Sequence, residues 1–456
     1  MKENDQFILD IKRLGINGEG IGFYNRMAVF VPNAIPGEGH NVEVTKINGK
    51  MAFAKSLEIK HSSVSRRQPE CPYYGVCGGC HTMHIDYKKM LEEKRNLIIE
   101  SINRYTKLNP KQFEIHPVVG SDLEFNYRNR SQLQVRNYED GLHVCMLKEN
   151  SNITVPISNC LVQKNIINEV NEKILEIMTS MHVDAYNHKN KSGLIRFITI
   201  RANKKDECLV CLVSYKHDDI IKALAKNILN IPNVKGVYES INSNVKDSDI
   251  LGDKTTHLCG EEYIIETLGN VKYQIYPTTF FQLNSNQAEK LYNIVLKNCK
   301  LSRKETVLDA YCGVGAIGLF IAKMAKEVIG IENNKDSIES AKKNAVLNKI
   351  SNATFYDGDA AKLLPKLLKE GEKFDVIVVD PPRTGLSDEF IKSLLDSNVK
   401  RIVYVSCNPS TLAKNLESLR EKYKVMSIAP VDLFPQTSLI ESVTNLVLRD
   451  NNWFNL

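Results

Sequence analysis

The sequence predicts an α/β protein whose last third is a doubly wound parallel sheet, preceded by a small β-barrel and a mixed α+β region. Three patterns predict it. Short apolar, β-branched runs near residues 306–310, 327–331, 353–356, 374–379 and 400–406 alternate with helix-length segments, the order that builds a parallel sheet with crossover helices. The turn after the first of these runs is glycine-rich: Asp309-Ala310-Tyr311-Cys312-Gly313-Val314-Gly315-Ala316-Ile317-Gly318. At the other end of the chain, residues 1–60 hold strand-like runs broken by glycine turns. The expected division is a barrel at 1–60, a middle domain at 61–270 and a sheet domain at 271–456, with two more strands near 424–432 and 443–449.

Composition narrows the class. The 456 residues are 43% hydrophobic and 25% charged, with a net charge of +6. That balance is mildly basic and permits a nucleic-acid partner without requiring one. The first residues lack an apolar signal core, and no uncharged apolar run approaches the ~18 residues of a membrane span, so a cytoplasmic protein without a membrane partner is expected, and a monomer. Eleven cysteines, an odd number, argue against a disulfide framework and for metal or catalytic roles.

In the barrel region, strand-like runs at 7–11, 28–31, 41–47 and 51–59 alternate with glycine turns at Gly15, Gly18, Gly20, Gly22, Gly37 and Gly49. Short strands at this density suit an OB-type barrel, a frequent binder of RNA. Gly18-Glu19-Gly20-Ile21-Gly22 and Val31-Pro32-Asn33-Ala34-Ile35-Pro36-Gly37-Glu38 resemble the TRAM domain of RNA-modifying enzymes. A polar, basic linker is expected at 61–68.

Next come Cys71, Cys77 and Cys80, spaced Cys-x5-Cys-x2-Cys with glycines between them. Glycine lets a short loop turn several thiolates towards one centre. Zinc and an iron–sulfur cluster both want a fourth ligand. Cys160 is the best distant candidate; Cys145, Cys208, Cys211 and Cys259 compete, with core packing the simpler role for Cys208 and Cys211.

Residues 87–104 read as an amphipathic helix with a solvated face. Residues 127–136 form a strand-like run with three arginines, suited to an RNA backbone or simply to solvent. A helix near 165–180, strands near 194–201 and 207–215 and a helix near 218–230 fill the rest of the middle region. In Tyr276-Pro277-Thr278-Thr279-Phe280-Phe281-Gln282-Leu283-Asn284, an aromatic pair that could stack a base precedes a glutamine that could read its edge.

Gly313, Gly315 and Gly318 satisfy G-x-G-x-x-G, and Glu332 closes the next strand where a ribose-binding acid belongs. Alone this fits a nicotinamide dehydrogenase and an S-adenosylmethionine methyltransferase equally. Three features weaken the dehydrogenase: Asp309 ends the first strand, the fingerprint lies late in the chain, and no His or Lys stands near the later strand tips. Those tips carry Asp380-Pro381-Pro382-Arg383 and Ser406-Cys407-Asn408-Pro409. The prolines stiffen the loop that presents Asp380. Cys407 precedes a helix capped by Asn408 or Ser410, a place that favours a thiolate. Glu441 is expected in a polar break between the last two strands.

A methyl donor, an activated cysteine and a separate carboxylate suit one reaction, methylation at C5 of a pyrimidine. Cys407 is the expected nucleophile and Glu441 the expected general base. Phe-x-Gln-x-Asn (280–284), Asp-x-Tyr-Cys-Gly-x-Gly (309–315), Asp-Pro-Pro-Arg (380–383), Ser-Cys-Asn-Pro (406–409) and Pro-x-Thr-x-x-x-Glu (435–441) occur in order. Together they resemble the RNA uracil-5-methyltransferases.

That resemblance implies a Rossmann-like S-adenosylmethionine domain, with Gln282, Tyr311, Glu332 and Asp380 on the donor and Asp359 near its adenine. The TRAM-like barrel and the set Cys71, Cys77, Cys80 and Cys160 resemble the 23S ribosomal RNA branch, which implies a 4Fe-4S cluster in the middle domain and 23S ribosomal RNA as partner. Two positions depart from the family: Leu439 stands where a histidine is usual, and Ala316 where some members have asparagine. Transfer RNA is the nearest alternative substrate; the barrel and the cysteine set argue against it, since that branch is expected to lack both additions. A nicotinamide oxidoreductase, a non-catalytic iron–sulfur RNA binder and a cytosine-5-methyltransferase are more remote.

Overall fold

Glycine turns fold the N-terminal strands back on one another into a closed barrel. Its strands run in the order Gln6–Leu14, Gly20–Tyr24, Met27–Val31, Met51–His61, Gly39–Asn48, the last pairing with the first. Leu9, Ile11, Val29, Val31, Val42 and Val44 fill its interior, following the period-2 alternation of each strand. The strand Gly20–Tyr24 corrects the sequence reading, which took Gly20 and Gly22 as turns. A Cβ on Gly20 would lie 2.7 Å from the Ala34 carbonyl and one on Gly22 would lie 2.5 Å from that of Asp10. Glycine here permits close backbone approach within a strand.

The computed structural model describes residues 1–244 and 249–449. Its chain divides into two units. The first joins the barrel and the rest of Met1–Asp122 to Pro381–Leu386 and to the chain from Tyr404 onward. The expected linker at 61–68 is not a loose one. Arg66 donates to both Glu38 carboxylate oxygens at 2.7 Å, and Arg67 Nε donates to the Met83 carbonyl at 3.0 Å. Burial raises the pKa of Glu38, but hydrogen bonds from Arg66, the Ile35 amide, His40 and the Ser63 amide outweigh it and bring it to about 2.

Beyond the linker, helix Tyr87–Tyr105 starts at Asp86, whose side chain accepts the Lys89 amide. Its apolar face buries Met90, Leu97, Ile98 and Ile102, with Leu91 only partly covered, and the helix also buries the whole of Lys94. It packs on helix Pro409–Leu419. Strand Tyr423–Val431 runs antiparallel to Glu441–Leu448 and parallel to the short Glu114–Ile115.

The second unit holds Leu123–Asp380 and Ser387–Val403. A seven-stranded sheet runs from Lys254–Gly260 through Val234–Ile241, Cys208–Ser214, Ile195–Ala202, Arg130–Tyr138 and Gly141–Leu147 to Thr154–Pro156. Arg130–Tyr138 lies inside this sheet and buries Ser131, Leu133 and Val135, so the arginine-rich run is no simple solvent-facing strand. Cys208 and Cys211 are core residues, and burial pushes both thiols up to about 12. The parallel strands of this unit stand in the order Ala353–Asp357, Glu327–Glu332, Thr306–Ala310, Val376–Val379, with helices on the crossovers. Among the described residues no helix is long and apolar enough to cross a membrane.

Candidate active site

Each unit carries one group of predicted residues. In the second unit, strand Thr306–Ala310 ends in a turn with three left-handed residues, Tyr311 (φ +66°), Gly313 (+53°) and Gly315 (+74°). A side chain added at Gly313 would meet open space, so the turn leaves room for a ligand beside its backbone. Glu332 Oε2 accepts the Gly313 amide at 3.1 Å and Oε1 accepts the Asn334 amide at 3.0 Å. The acid and the glycine turn thus fix one another before any ligand arrives.

Beneath the turn, Asp309 Oδ2 accepts the Gly318 amide at 2.8 Å. Burial, with the nearby charges of Asp380 and Glu332, pushes the Asp309 carboxyl up to about 7 despite that bond. Asp380 is partly accessible at its strand end, and loss of solvent likewise pushes it up to about 7. The Tyr311 ring meets Phe390 edge-on at 5.6 Å. Burial, then the charge of Asp359, raises its hydroxyl to about 12. Asp359 itself caps helix Ala360–Lys369 through the Ala361 amide at 2.9 Å.

Gln282 is 8% exposed and sits in a loop held from below. Asn129 Nδ2 donates to the Gln282 carbonyl at 3.0 Å and to Ser285 Oγ at 2.9 Å, and Ser285 donates to Glu266 at 2.6 Å. Arg201 donates to the Thr279 carbonyl at 2.5 Å. Sequence reasoning missed Asn129, Arg201 and Glu266. Their only signal was that polar residues stood in or just before strands at positions facing inward. Phe280, the candidate stacking residue, is 65% exposed, whereas Phe281 is buried.

In the first unit, the loop Pro381–Leu386 is clamped to helix Pro409–Leu419. Asn408 Nδ2 and Thr411 Oγ1 donate to the Arg383 carbonyl at 3.2 and 3.3 Å. Asn415 Oδ1 accepts the Leu386 amide at 2.9 Å and the Tyr404 hydroxyl at 2.8 Å. Asn408 is the cap, accepting the Ser410 amide at 3.0 Å, and Pro409 opens the helix. Cys407 stands directly before that cap, half-buried and outside any disulfide.

Glu441 is 5% exposed and begins the strand Glu441–Leu448, so it lies within the ladder and not in a break. Ser442 Oγ comes within 3.5 Å of the Ser406 carbonyl, which puts the start of that strand beside the end of strand Arg401–Ser406, whose last residue precedes Cys407.

Cys71, Cys77 and Cys80 are half-buried in turns of the first unit; Cys160 is half-buried in the second, its amide accepted by Asn168 at 3.1 Å. Among the described residues no three His, Cys, Asp or Glu side chains stand together as a ready-made metal site.

Residues 86–449 match the family described as tRNA (Uracil-5-)-methyltransferase, and residues 6–57 match the TRAM domain. The chain belongs to the RNA uracil-5-methyltransferase family. This S-adenosylmethionine-dependent RNA methyltransferase is similar over its length to proteins named uncharacterized RNA methyltransferases. One, from Halalkalibacterium halodurans, is 43% identical over 98% of this chain and 97% of its own; one from Listeria monocytogenes is 41% identical over 99% of each. The methyltransferase is also similar to a solved structure, the Pyrococcus abyssi tRNA (uracil-54, C5)-methyltransferase in complex with S-adenosyl-L-homocysteine. That match has 29% identity and a TM-score of 0.78, covering 97% of this chain and all of that one. Membership sets aside the nicotinamide reading of the glycine turn.

Proposed function

We propose that this methyltransferase methylates C5 of uridine in 23S ribosomal RNA, with Cys407 as nucleophile and Glu441 as general base. The observation that carries the chemistry is the adjacency of two strand ends, one leading to a cysteine before a capped helix, the other beginning with a buried carboxylate. The Cys407 thiolate adds to uracil C6, which makes C5 a carbon nucleophile. C5 takes the methyl group from the donor sulfonium, and S-adenosylhomocysteine departs. Glu441 removes the C5 proton, the C5–C6 double bond re-forms and the C6–S bond breaks to return the thiolate. Gln282, Tyr311, Glu332 and Asp380 hold the donor in this reading. The open space at Gly313 and the anchored Glu332 carboxylate suit its methionine and ribose ends.

Cys71, Cys77, Cys80 and Cys160 are read as ligands of a 4Fe-4S cluster. What supports the reading is residue type: three half-buried thiols in one tightly turning segment and a fourth elsewhere in the chain. Bound there, such a cluster would hold the Cys71–Cys80 segment through iron–thiolate bonds. Purified protein that contains zinc and lacks visible iron–sulfur absorbance overturns that assignment. The thiol set also supports the ribosomal substrate, and a cytoplasmic monomer is the setting this reading implies. Transfer RNA is the second reading, favoured by a specific finding. The Pyrococcus relative, named for a tRNA position, matches over 97% of this chain, so chain architecture alone does not separate the two substrates.

The test is a covalent trap. Protein and S-adenosylmethionine are mixed with 5-fluorouridine-substituted ribosomal or transfer RNA, and an adduct surviving denaturation is sought. Fluorine at C5 cannot leave as a proton, so the expected result is an adduct on ribosomal RNA that disappears in Cys407→Ala. An adduct on transfer RNA alone moves the substrate and keeps the mechanism. No adduct on either overturns the mechanism.

A further inference from the structure

The loop before Glu441, residues 432–440, is fastened at three places. The first fastening is a buried ion pair. Lys94 and Asp432 have no accessible side-chain surface, and the ammonium donates to Asp432 Oδ1 at 2.6 Å and to the Phe434 carbonyl at 3.1 Å. The other Asp432 oxygen accepts the Tyr87 hydroxyl at 3.0 Å, and Oδ1 accepts the Phe434 amide at 3.1 Å. The second fastening is at Gln436, buried and left-handed at φ +67°. Its carbonyl accepts the amides of His81 and Thr82 at 3.1 and 3.2 Å, and its Oε1 accepts from Arg67 at 3.2 Å. His81 directly follows Cys80, so the base loop is tied to the cysteine segment. Ser438 adds a bond to the Ile16 carbonyl of the barrel at 2.7 Å.

Stability alone does not explain this arrangement. A buried ion pair gains little over well-packed apolar side chains of similar volume, because desolvation cancels most of the attraction. It does specify one geometry, since either charge alone is costly. Gln436 holds a left-handed conformation that a non-glycine residue keeps only where its surroundings enforce it.

We propose that Lys94, Asp432 and Gln436 are positioning residues that set Glu441 for removal of the C5 proton. The proposal rests on the reading of Cys407 as nucleophile and Glu441 as base. It makes a step-specific claim. Thiolate addition and methyl transfer precede the need for Glu441. Only the last step, in which the C5 proton goes to the carboxylate and the C6–S bond breaks, depends on the loop. Variants that loosen the loop therefore stall as a methylated, covalent protein–RNA intermediate on ordinary RNA without fluorine.

The experiment uses the full chain with unmodified 23S ribosomal and transfer RNA transcripts and methyl-labelled S-adenosylmethionine. Rapid quench into denaturant follows labelled adduct as it forms and decays. Two variants are compared with wild type. Lys94→Met combined with Asp432→Leu replaces the pair by apolar volume, and Arg67→Ala removes the side-chain hold on Gln436. The expected result is adduct that forms within about twofold of the wild-type rate and decays on the order of 100-fold more slowly in the double variant, the size of effect seen when a catalytic group is misplaced by about 1 Å. Arg67→Ala shows the same signature at roughly tenfold, and it decides the matter if the double variant does not fold.

Wild-type decay in folded variants, with the Cys407-dependent fluorouridine trap intact, overturns the positioning role alone. Equal slowing of formation and decay marks a general loss of structure and overturns it too. Absence of the trap in wild type removes the underlying mechanism, and the positioning role with it.

Discussion

Asp309 shows how much a single side chain in this site depends on burial. Its carboxyl is pushed up to about 7, so between the ordinary aspartate value and pH 7 the folded protein binds a proton that the unfolded chain has released. Stability then falls as pH rises through that window and levels off above it. Asp309→Asn keeps an oxygen for the Gly318 amide and carries no charge. Its stability relative to wild type is expected to rise by a few kcal/mol between pH 4 and 8, read as midpoints of chemical denaturation across that range. Asp380 adds a slope of the same sign, so the substitution flattens the curve without abolishing it. The glycine turn, Glu332 and Cys407 stood out in the sequence because each obeys a local rule: turn chemistry, spacing, or position before a helix cap. Lys94, Asn129 and Arg201 did not. Their partners lie 338, 153 and 78 residues away, and no local pattern announces a buried polar group whose partner is that remote.

At the scale of elements, strands and helices with strong periodicity were readable to within a few residues, including helix Tyr87–Tyr105 and the parallel strands. What failed was glycine, because its meaning depends on what approaches it. Gly20 and Gly22 looked like turns and are a strand pressed against neighbouring backbone. Gly385 is the opposite case, a true left-handed turn residue (φ +80°) whose missing Cβ would sit 2.6 Å from Asn415 Oδ1. Asn415 is the side chain that holds Leu386 and Tyr404 together. Gly385→Ala therefore combines backbone strain with displacement of that amide. It is expected to cost about 1–3 kcal/mol and to lower the melting temperature by several degrees. Asn415→Ala frees the space but loses three hydrogen bonds, the two at Oδ1 and one from Nδ2 to the Leu386 carbonyl at 3.3 Å, so the double variant is expected to be less destabilised than the sum of the singles, measured as a thermodynamic cycle. Additive effects would show that the glycine is not there for Asn415.

At the scale of the whole molecule, the end of the chain folds together with its beginning. The sequence expects residues 271–456 to be a domain; in the structure the chain from Tyr404 onward also groups with Met1–Asp122 in one compact unit. Within that unit, strand Tyr423–Val431 takes Glu114–Ile115 as its parallel neighbour, helix Pro409–Leu419 packs on Tyr87–Tyr105, and buried Asp432 is neutralised by Lys94. A fragment of residues 271–456 keeps Asp432 and loses Lys94. An unpaired charge left in such a place costs about 3–5 kcal/mol, a large part of the stability of an ordinary domain. The edge of Tyr423–Val431 and the apolar face of Pro409–Leu419 are uncovered at the same time, and both invite aggregation. The fragment is therefore expected to be insoluble or to lack a cooperative thermal transition. Co-expression with residues 1–122 is expected to recover a soluble complex, because that piece supplies the strand, the helix and the lysine together. Lys94→Met in the co-expressed piece should weaken the recovery while leaving the helix itself intact. A soluble fragment 271–456 with a sharp transition of its own would mean that the C-terminal strands carry their stability locally, and that the contacts with the first 122 residues serve the site and not the fold.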